Sequence, residues 1–300
     1  MKKVLVIVGP TASGKTAFSL DMAELLNGEI ISGDSIQVYR GLDIGSGKIK
    51  EEEMRNIPHH LINILEPEEP FSVADFQSAA RREIDACSSF PIVCGGTGLY
   101  LKACLYDYSF SAECEESPSD PEFDAMETDD LYHLLLERDP LQAEKIHPHN
   151  RRRMIRTLTI LKRTGKKQSE IEQEQIHATI YDTWIAGCTM PRKVLHARIE
   201  QRVNMMFEEG LAEEIQTLLD QGVTFDDPAM RGIGYQEFRS YYAHEMNLAE
   251  VKEEIVKHSR QYARRQYTWL NHQMPVHWFE SLDTDDTERM QKEILAWTKQ

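Results

Sequence analysis

Gly9-Pro10-Thr11-Ala12-Ser13-Gly14-Lys15-Thr16 follows the apolar run Lys3-Val4-Leu5-Val6-Ile7-Val8 and precedes a segment with Phe18, Met22, Leu25 and Leu26 at helical spacing. The octet fits G-x-x-x-x-G-K-[ST], and strand, turn and helix form the context in which that pattern binds phosphate. Glycines let successive N–H groups turn inward on an anion, the helix N-terminus adds partial positive charge, and Lys15 adds a full one. The Thr16 hydroxyl can ligate Mg²⁺. By average composition, the four fixed positions coincide in only roughly one chain in a hundred of this length. The octet is therefore expected to cradle a polyphosphate.

Working outward, residues 29–32, 91–94, 183–190 and 276–279 read as further strands, and 99–105 as an apolar helix leaving Gly95-Gly96-Thr97-Gly98. Strands alternating with helices imply a mostly parallel sheet covered on both faces. Residues 111–130 break the pattern with nine Asp or Glu and no Lys or Arg, and read as a solvated linker or the rim of an insertion. Residues 131–180 read as helical. The expected fold is α/β: a P-loop NTPase-like parallel sheet core flanked by helices, with an inserted all-helical subdomain. Residues 1–110 form the first part of the core, 111–180 the insertion, and 181–300 the second part with the C-terminal helices.

The chain has 300 residues, 41% hydrophobic and 28% charged, an ordinary globular composition. No apolar run approaches the ~20 residues of a membrane span, and the N-terminus reads as a strand and not a signal peptide. Five cysteines without a CxxC pair point to a reduced, cytoplasmic setting with no disulfide framework and no thiolate zinc site. His59-His60 and His147/His149 lack accompanying ligands at metal spacing, so packing or capping roles are expected.

A net charge of −16 argues by itself against a nucleic-acid partner, but the charge is uneven. Residues 151–167 hold eight Lys or Arg and no acid. On a helix, Arg152, Arg156 and Arg163 fall within about 40° of one another, opposite Met154, Leu158 and Leu161. With Arg151 and Arg153 in the same run, that stripe is expected to contact RNA phosphates. Residues 255–279 also lack acids, and there Arg260 and Arg264 are expected to reach a diphosphate or the RNA backbone.

Nucleotide-hydrolysing loops need a carboxylate ending a core strand, yet residues 92–94 lead into Gly-Gly-Thr-Gly. The best-placed acid is Asp34, just past the second strand, where strand ends line a ligand crevice. Three roles remain open for it: a metal-shell ligand, a general base, or the cap of an Asx turn.

Seven ordered blocks, spread over nearly the whole chain, resemble the tRNA dimethylallyltransferases. They are the phosphate loop, Asp34-Ser35-Ile36-Gln37-Val38-Tyr39-Arg40-Gly41-Leu42-Asp43-Ile44-Gly45, Pro58-His59-His60-Leu61, Phe71-Ser72-Val73-Ala74-Asp75-Phe76, Gly95-Gly96-Thr97-Gly98-Leu99-Tyr100, Arg231-Gly232-Ile233-Gly234-Tyr235 and Arg260-Gln261-Tyr262-Ala263-Arg264-Arg265-Gln266. The resemblance implies transfer of a dimethylallyl group from dimethylallyl diphosphate to N6 of the adenine 3′ of the tRNA anticodon. It implies that Asp34 is the base on that amine, that Thr97 lies beside it, and that the phosphate loop holds the diphosphate, with Mg²⁺ as cofactor. The adenine must be swung out of its stack, and Ser35, Ile36 and Gln37, beside Asp34 and Thr97, are expected around it. The implied partners are the tRNA anticodon stem-loop and dimethylallyl diphosphate, with no membrane and a monomeric chain. Gly45-Ser46-Gly47-Lys48-Ile49 departs from the family pattern, as does Thr159, and the Cys/His finger of eukaryotic members is absent, as in bacterial forms. Three rivals stand beside this reading: a small-molecule kinase using ATP on the same loop, a prenyltransferase acting on free adenine nucleotides, and a non-enzymatic RNA-binding switch.

Overall fold

Val4, Leu5, Val6, Ile7 and Val8 are wholly buried, as a strand must be when it has neighbours on both sides and helices on both faces. The computed structural model describes residues 1–108, 120–174 and 178–300, and divides into two compact units, Met1–Leu105 with Thr179–Gln300, and Tyr106–Ala178. Residues 109–119, which include Cys114 and most of the first half of the acidic run, lie outside the described residues.

The larger unit opens with β1 (Lys3–Val8), α1 (Lys15–Leu26), β2 (Gly28–Ser32), β3 (His59–His60), α2 (Val73–Ala86), β4 (Phe90–Gly95) and α3 (Gly98–Leu105). The smaller unit carries α4 (Pro121–Asp124), α5 (Thr128–Arg138), α6 (Pro140–Ala143), α7 (Arg151–Thr164) and α8 (Gln168–Glu174). The chain re-enters the larger unit with β5 (Asp182–Thr189), α9 (Arg192–Glu208), α10 (Leu211–Asp220), α11 (Phe238–Tyr242), α12 (Leu248–Gln273), β6 (His277–Glu280) and α13 (Thr284–Thr298).

Among the described residues, six strands form one sheet in the order β3-β2-β4-β1-β5-β6. Every pairing is parallel. The expected α/β core flanked by helices is present. Register sets where the strands stop: Val8 pairs with Gly95 and Gly187, and Ser32 pairs with Cys94. The strands thus end level, and the loops after β1, β2 and β4 emerge along one edge of the sheet. β3 is the strand that sequence reading missed. Two half-buried histidines at the sheet edge make no apolar run to detect.

Two clusters stabilise the larger unit. One joins β1, β4, β5 and β6 to α1 and α13 through Leu5, Ile7, Phe18, Met22, Ile92 and Phe279. The other packs α9 to α12 on the segment from Val38 to Leu42. In the smaller unit, Phe123, Leu131, Leu135, Met154, Ile155 and Leu158 form a core of their own. Residues 120–130, expected to be a solvated linker or the rim of an insertion, form α4 and the start of α5. Asp120 caps α4 by accepting from the Glu122 N–H, and Lys162 pairs with Asp120 and Glu122 at 2.7 Å while lying over the Phe123 ring. Neutralised acids can pack where free ones would stay in water.

The edge strand β3 is tied to β2 through its side chains. His60 Nε2 lies 2.7 Å from Glu29 Oε2 on β2, and Ser89 Oγ donates to Glu29 Oε1 at 2.7 Å. The Ser89 hydrogen bond, and then His60, holds the Glu29 carboxyl below its ordinary 4.5. A depressed carboxyl contributes stability that is full above that ordinary value and is lost as pH falls through the folded one. Glu29→Gln is expected to lower the unfolding free energy by about 1 kcal/mol at neutral pH. The gap to wild type should close on acidification below 4.5. Urea titrations across pH check this, and a gap independent of pH would reject it.

Candidate active site

The loop after β1 turns through Ala12, a non-glycine residue at φ 63°, a conformation kept only where the surroundings impose it. Arg198 on α9 donates Nε to the Ala12 carbonyl at 3.1 Å, and Ser281 donates Oγ to the Ser13 carbonyl at 2.7 Å. Lys15 Nζ donates to the Pro10 carbonyl at 2.7 Å. Ser13 Oγ is buried and has no hydrogen-bond partner among the described residues. Burial is the largest influence on the Lys15 ammonium and pushes its pKa down; nearby Arg202 acts the same way, against Cys94, Cys188 and Asp34. A desolvated cation, an orphaned hydroxyl and a helix N-terminus together make a cradle for an anion. Thr16 stands exposed on the first turn of α1.

Asp34 follows β2. Its Oδ1 accepts from Ile36 N–H at 2.8 Å and Gln37 N–H at 3.4 Å, so the Asx turn is real. Its Oδ2 accepts no hydrogen bond among the described residues, and the side chain lines a cavity of about 530 Å³ together with Thr11, Ser35, Ile36, Arg202 and Tyr262. Capping and facing the cavity are compatible because the carboxylate has two oxygens. Gln37 is spent elsewhere: its Oε1 accepts from Ser32 Oγ at 3.0 Å and its Nε2 donates to the Gly47 carbonyl at 3.4 Å. Unlike Ser35 and Ile36, it does not line the cavity.

The loop after β4 lies against the other two. Gly33 N–H donates to the Cys94 carbonyl at 2.8 Å. Gln266 on α12, buried at 7% exposure, accepts from Thr11 N–H at 2.9 Å and donates Nε2 to the Gly96 carbonyl at 3.0 Å. One amide therefore bridges the anion loop and the Thr97 loop. A Cβ at Gly96 would stand 2.2 Å from Gln266 Nε2 and displace that amide. The Tyr262 phenol lies near Thr97 and Gln266, and its pKa is raised, first by burial and then by the charge of Asp34.

Sequence reasoning missed Arg202. Its guanidinium donates to the Ser46 carbonyl at 3.3 Å and fills the space a side chain at Gly47 would need, since a Cβ there would be 1.7 Å from Nη2. Burial lowers its pKa, opposed by Asp34. The available signal was Ile199, Arg202, Val203 and Met206 at helical spacing: a cation inside an apolar stripe. Arg231 and Arg265 also line the cavity.

Arg260 and Arg264 are placed differently from expectation. Arg260 pairs with Glu200 at 2.7 Å, beside a separate hollow, and Arg264 is exposed. Neither lines the cavity. At 100° per residue the inward stripe of α12 runs through Ser259, Tyr262 and Gln266, which turns 260 and 264 aside. Lys48 is a strut, its Nζ donating to the Tyr39 carbonyl at 2.8 Å and to Asp43 at 2.6 Å. In the smaller unit Arg151 donates to the carbonyls of Phe123, Asp124 and Met126, finishing α4. Arg152, Arg153 and Arg156 are exposed and carry no ion pair among the described residues, and Arg163 is exposed. Met154 and Leu158 are buried behind them. No group of three or more His, Cys, Asp or Glu among the described residues could hold a metal ion.

The chain is similar to known proteins over nearly its whole length. A family described as IPP transferase matches residues 37–273, and one described as isopentenyl transferase matches residues 2–63. A tRNA dimethylallyltransferase of Anoxybacillus flavithermus is 47% identical over 299 residues, covering 99% of this chain and 96% of that protein. The solved full-length tRNA isopentenylpyrophosphate transferase of Bacillus halodurans is 39% identical with a TM-score of 0.75, over 99% of this chain and 96% of that one. A eukaryotic dimethylallyltransferase, solved acting on tRNA, is 30% identical with a TM-score of 0.83, over 98% of this chain and 78% of that one.

Gln266 and Gly96 offer a test of the bridge. Gln266→Leu removes both hydrogen bonds and should weaken binding of inorganic diphosphate by about tenfold, the loss of one to two net hydrogen bonds. Gly96→Ala should do similar damage by displacing the same amide, so the double variant should be little worse than either single one. Calorimetric titration measures this, and additive losses would show that the two positions act separately.

Proposed function

The chain belongs to the IPP transferase family, and from that premise we propose that it transfers a dimethylallyl group from dimethylallyl diphosphate to N6 of the adenine 3′ of the anticodon in tRNA. The observation that carries this is a single cavity whose wall holds Thr11 of the anion loop, the open oxygen of Asp34 and the desolvated Arg202. In the reaction the C1–O bond of the allylic diphosphate breaks and the N6–C1 bond forms. Negative charge grows on the leaving diphosphate and positive charge on the allylic carbon. Lys15, Arg202 and the loop N–H groups oppose the first charge. An exocyclic amine conjugated to a purine ring is a weak nucleophile, and Asp34 Oδ2 accepts its proton as the bond forms. Oδ1, fixed by the turn, keeps the carboxylate aimed. Tyr262 and Thr97 stand beside it to orient the amine.

The exposed Thr16 hydroxyl would hold a Mg²⁺ brought in with the diphosphate. When bound, it offsets charge on the leaving group. A cytoplasmic setting goes with this substrate. No helix among the described residues is long and apolar enough to cross a membrane.

An RNA acceptor accounts for α7 better than a free nucleotide does. Three consecutive arginines open that helix with no acid in its first turn, against the helix dipole. Such a placement costs stability unless an anion compensates it, and the phosphates of the anticodon stem supply one. A kinase reading leaves unexplained why the strand end beside the loop is Gly95-Gly96-Thr97, with no acid.

Incubation of unmodified tRNA with dimethylallyl diphosphate and Mg²⁺, followed by nucleoside mass analysis, should yield prenylated adenosine, and a parallel sample of AMP should not. Product on AMP alone would select the free-nucleotide reading. Asp34→Ala is expected to lower kcat at least a hundredfold with tRNA binding intact. Arg152→Ala and Arg156→Ala should each flatten the salt dependence of tRNA binding by roughly one unit of slope. An unchanged slope would remove the helix from the RNA interface.

A further inference from the structure

The helices α9 and α12 are both fixed to the anion loop at one end and line the cavity as they leave it. On α9, Arg198 bonds the Ala12 carbonyl, and the residues facing the cavity are Ile199, Arg202, Val203 and Met206, one stripe of the helix. On α12, Gln266 bonds Thr11 N–H, and Ile255 lines the same cavity nearly three turns away. Position along either helix therefore measures distance from the diphosphate. Met206 lies ~12 Å beyond Arg198 and Ile255 ~16 Å from Gln266, at 1.5 Å per residue. The polarity changes in step: cations at the loop, Asp34 and Arg202 next, then Val203, Met206 and Ile255, all in the buried apolar cluster. The same cavity is also lined by Tyr39, Phe71 and Tyr100, flat surfaces suited to a purine.

Resting on the prenyl transfer proposed for this site, we infer that Val203, Met206 and Ile255 hold the isoprenoid tail and fix its length at five carbons. A five-carbon group extends ~4 Å from its reacting carbon, and a ten-carbon chain roughly twice as far, at about 1.5 Å per bond. With the reacting carbon level with Arg202, the shorter tail ends between Val203 and Met206. The longer one runs into the Met206 side chain, which is buried at 8% exposure and packed from behind. Met206 is the floor of the donor pocket.

The test compares transfer to tRNA from dimethylallyl diphosphate and from the ten-carbon geranyl diphosphate in the full-length chain with Mg²⁺. Met206→Ala should raise the ten-carbon to five-carbon ratio of kcat/KM by about tenfold or more, the scale of a pocket gaining room for methylenes. Val203→Phe should raise KM for the five-carbon donor, and both variants should bind inorganic diphosphate as wild type does. A Met206→Ala protein that binds diphosphate normally but keeps the wild-type ratio overturns the inference. So does one that changes only the KM for tRNA, which would put the base on this wall. Should Met206→Ala lose diphosphate binding, Val203→Phe decides: an unchanged five-carbon KM with normal diphosphate binding overturns the assignment. A wild-type chain that prenylates no tRNA defeats the functional reading itself, and that result is separate from either.

Discussion

Because β1, β2 and β4 run parallel and end level with one another, the three loops that follow them have to meet. That register is the constraint from which the site follows. The anion loop, the Asp34 turn and the Thr97 loop arrive from distant parts of the chain and are placed within hydrogen-bond reach by backbone pairing. Gln266 then joins two of them through one buried amide. Such a site is preorganised by elements that are themselves packed, so little of its geometry is left for substrate binding to create.

The electrostatics of the cavity run against the chain as a whole. A protein of net charge −16 keeps Lys15 and Arg202 desolvated around one open carboxylate oxygen. Burial costs each cation its hydration, and the nearby carboxylate returns only part of that. In the transfer proposed above, an incoming diphosphate restores the balance, most fully as a further charge develops on it when the C–O bond breaks. The same separation recurs in the smaller unit. There, acids 120 and 122 are tied to Lys162, while Arg152, Arg153 and Arg156 remain turned to solvent. Net charge hides both arrangements, because what an anion meets is the local field.

The reading of the sequence went furthest where chemistry is contiguous. The octet 9–16 carries its turn, its charge and its flanking strand and helix in one stretch, and the strands rest on apolar runs that have few other uses. The reading failed where function depends on which way a helix is turned. Arg260 and Arg264 lie in an acid-free segment that looks basic from end to end, yet the cavity takes Ser259, Tyr262 and Arg265 from it. Arg151 belongs to a run of arginines and serves as a cap for α4.

The sequence by itself determined the anion loop, the parallel α/β core, the acid that follows β2 and the basic helix, since each is encoded by neighbours in the chain through turn chemistry, periodicity and charge. Only the tertiary structure decided that Gln37 and Lys48 are struts, that Arg202 lines the cavity where Arg260 and Arg264 do not, and that Gln266 bridges two of the loops. The last two depend on the rotation of α9 and α12 about their own axes. That rotation is set by packing against residues far away in the sequence, and no local pattern records it.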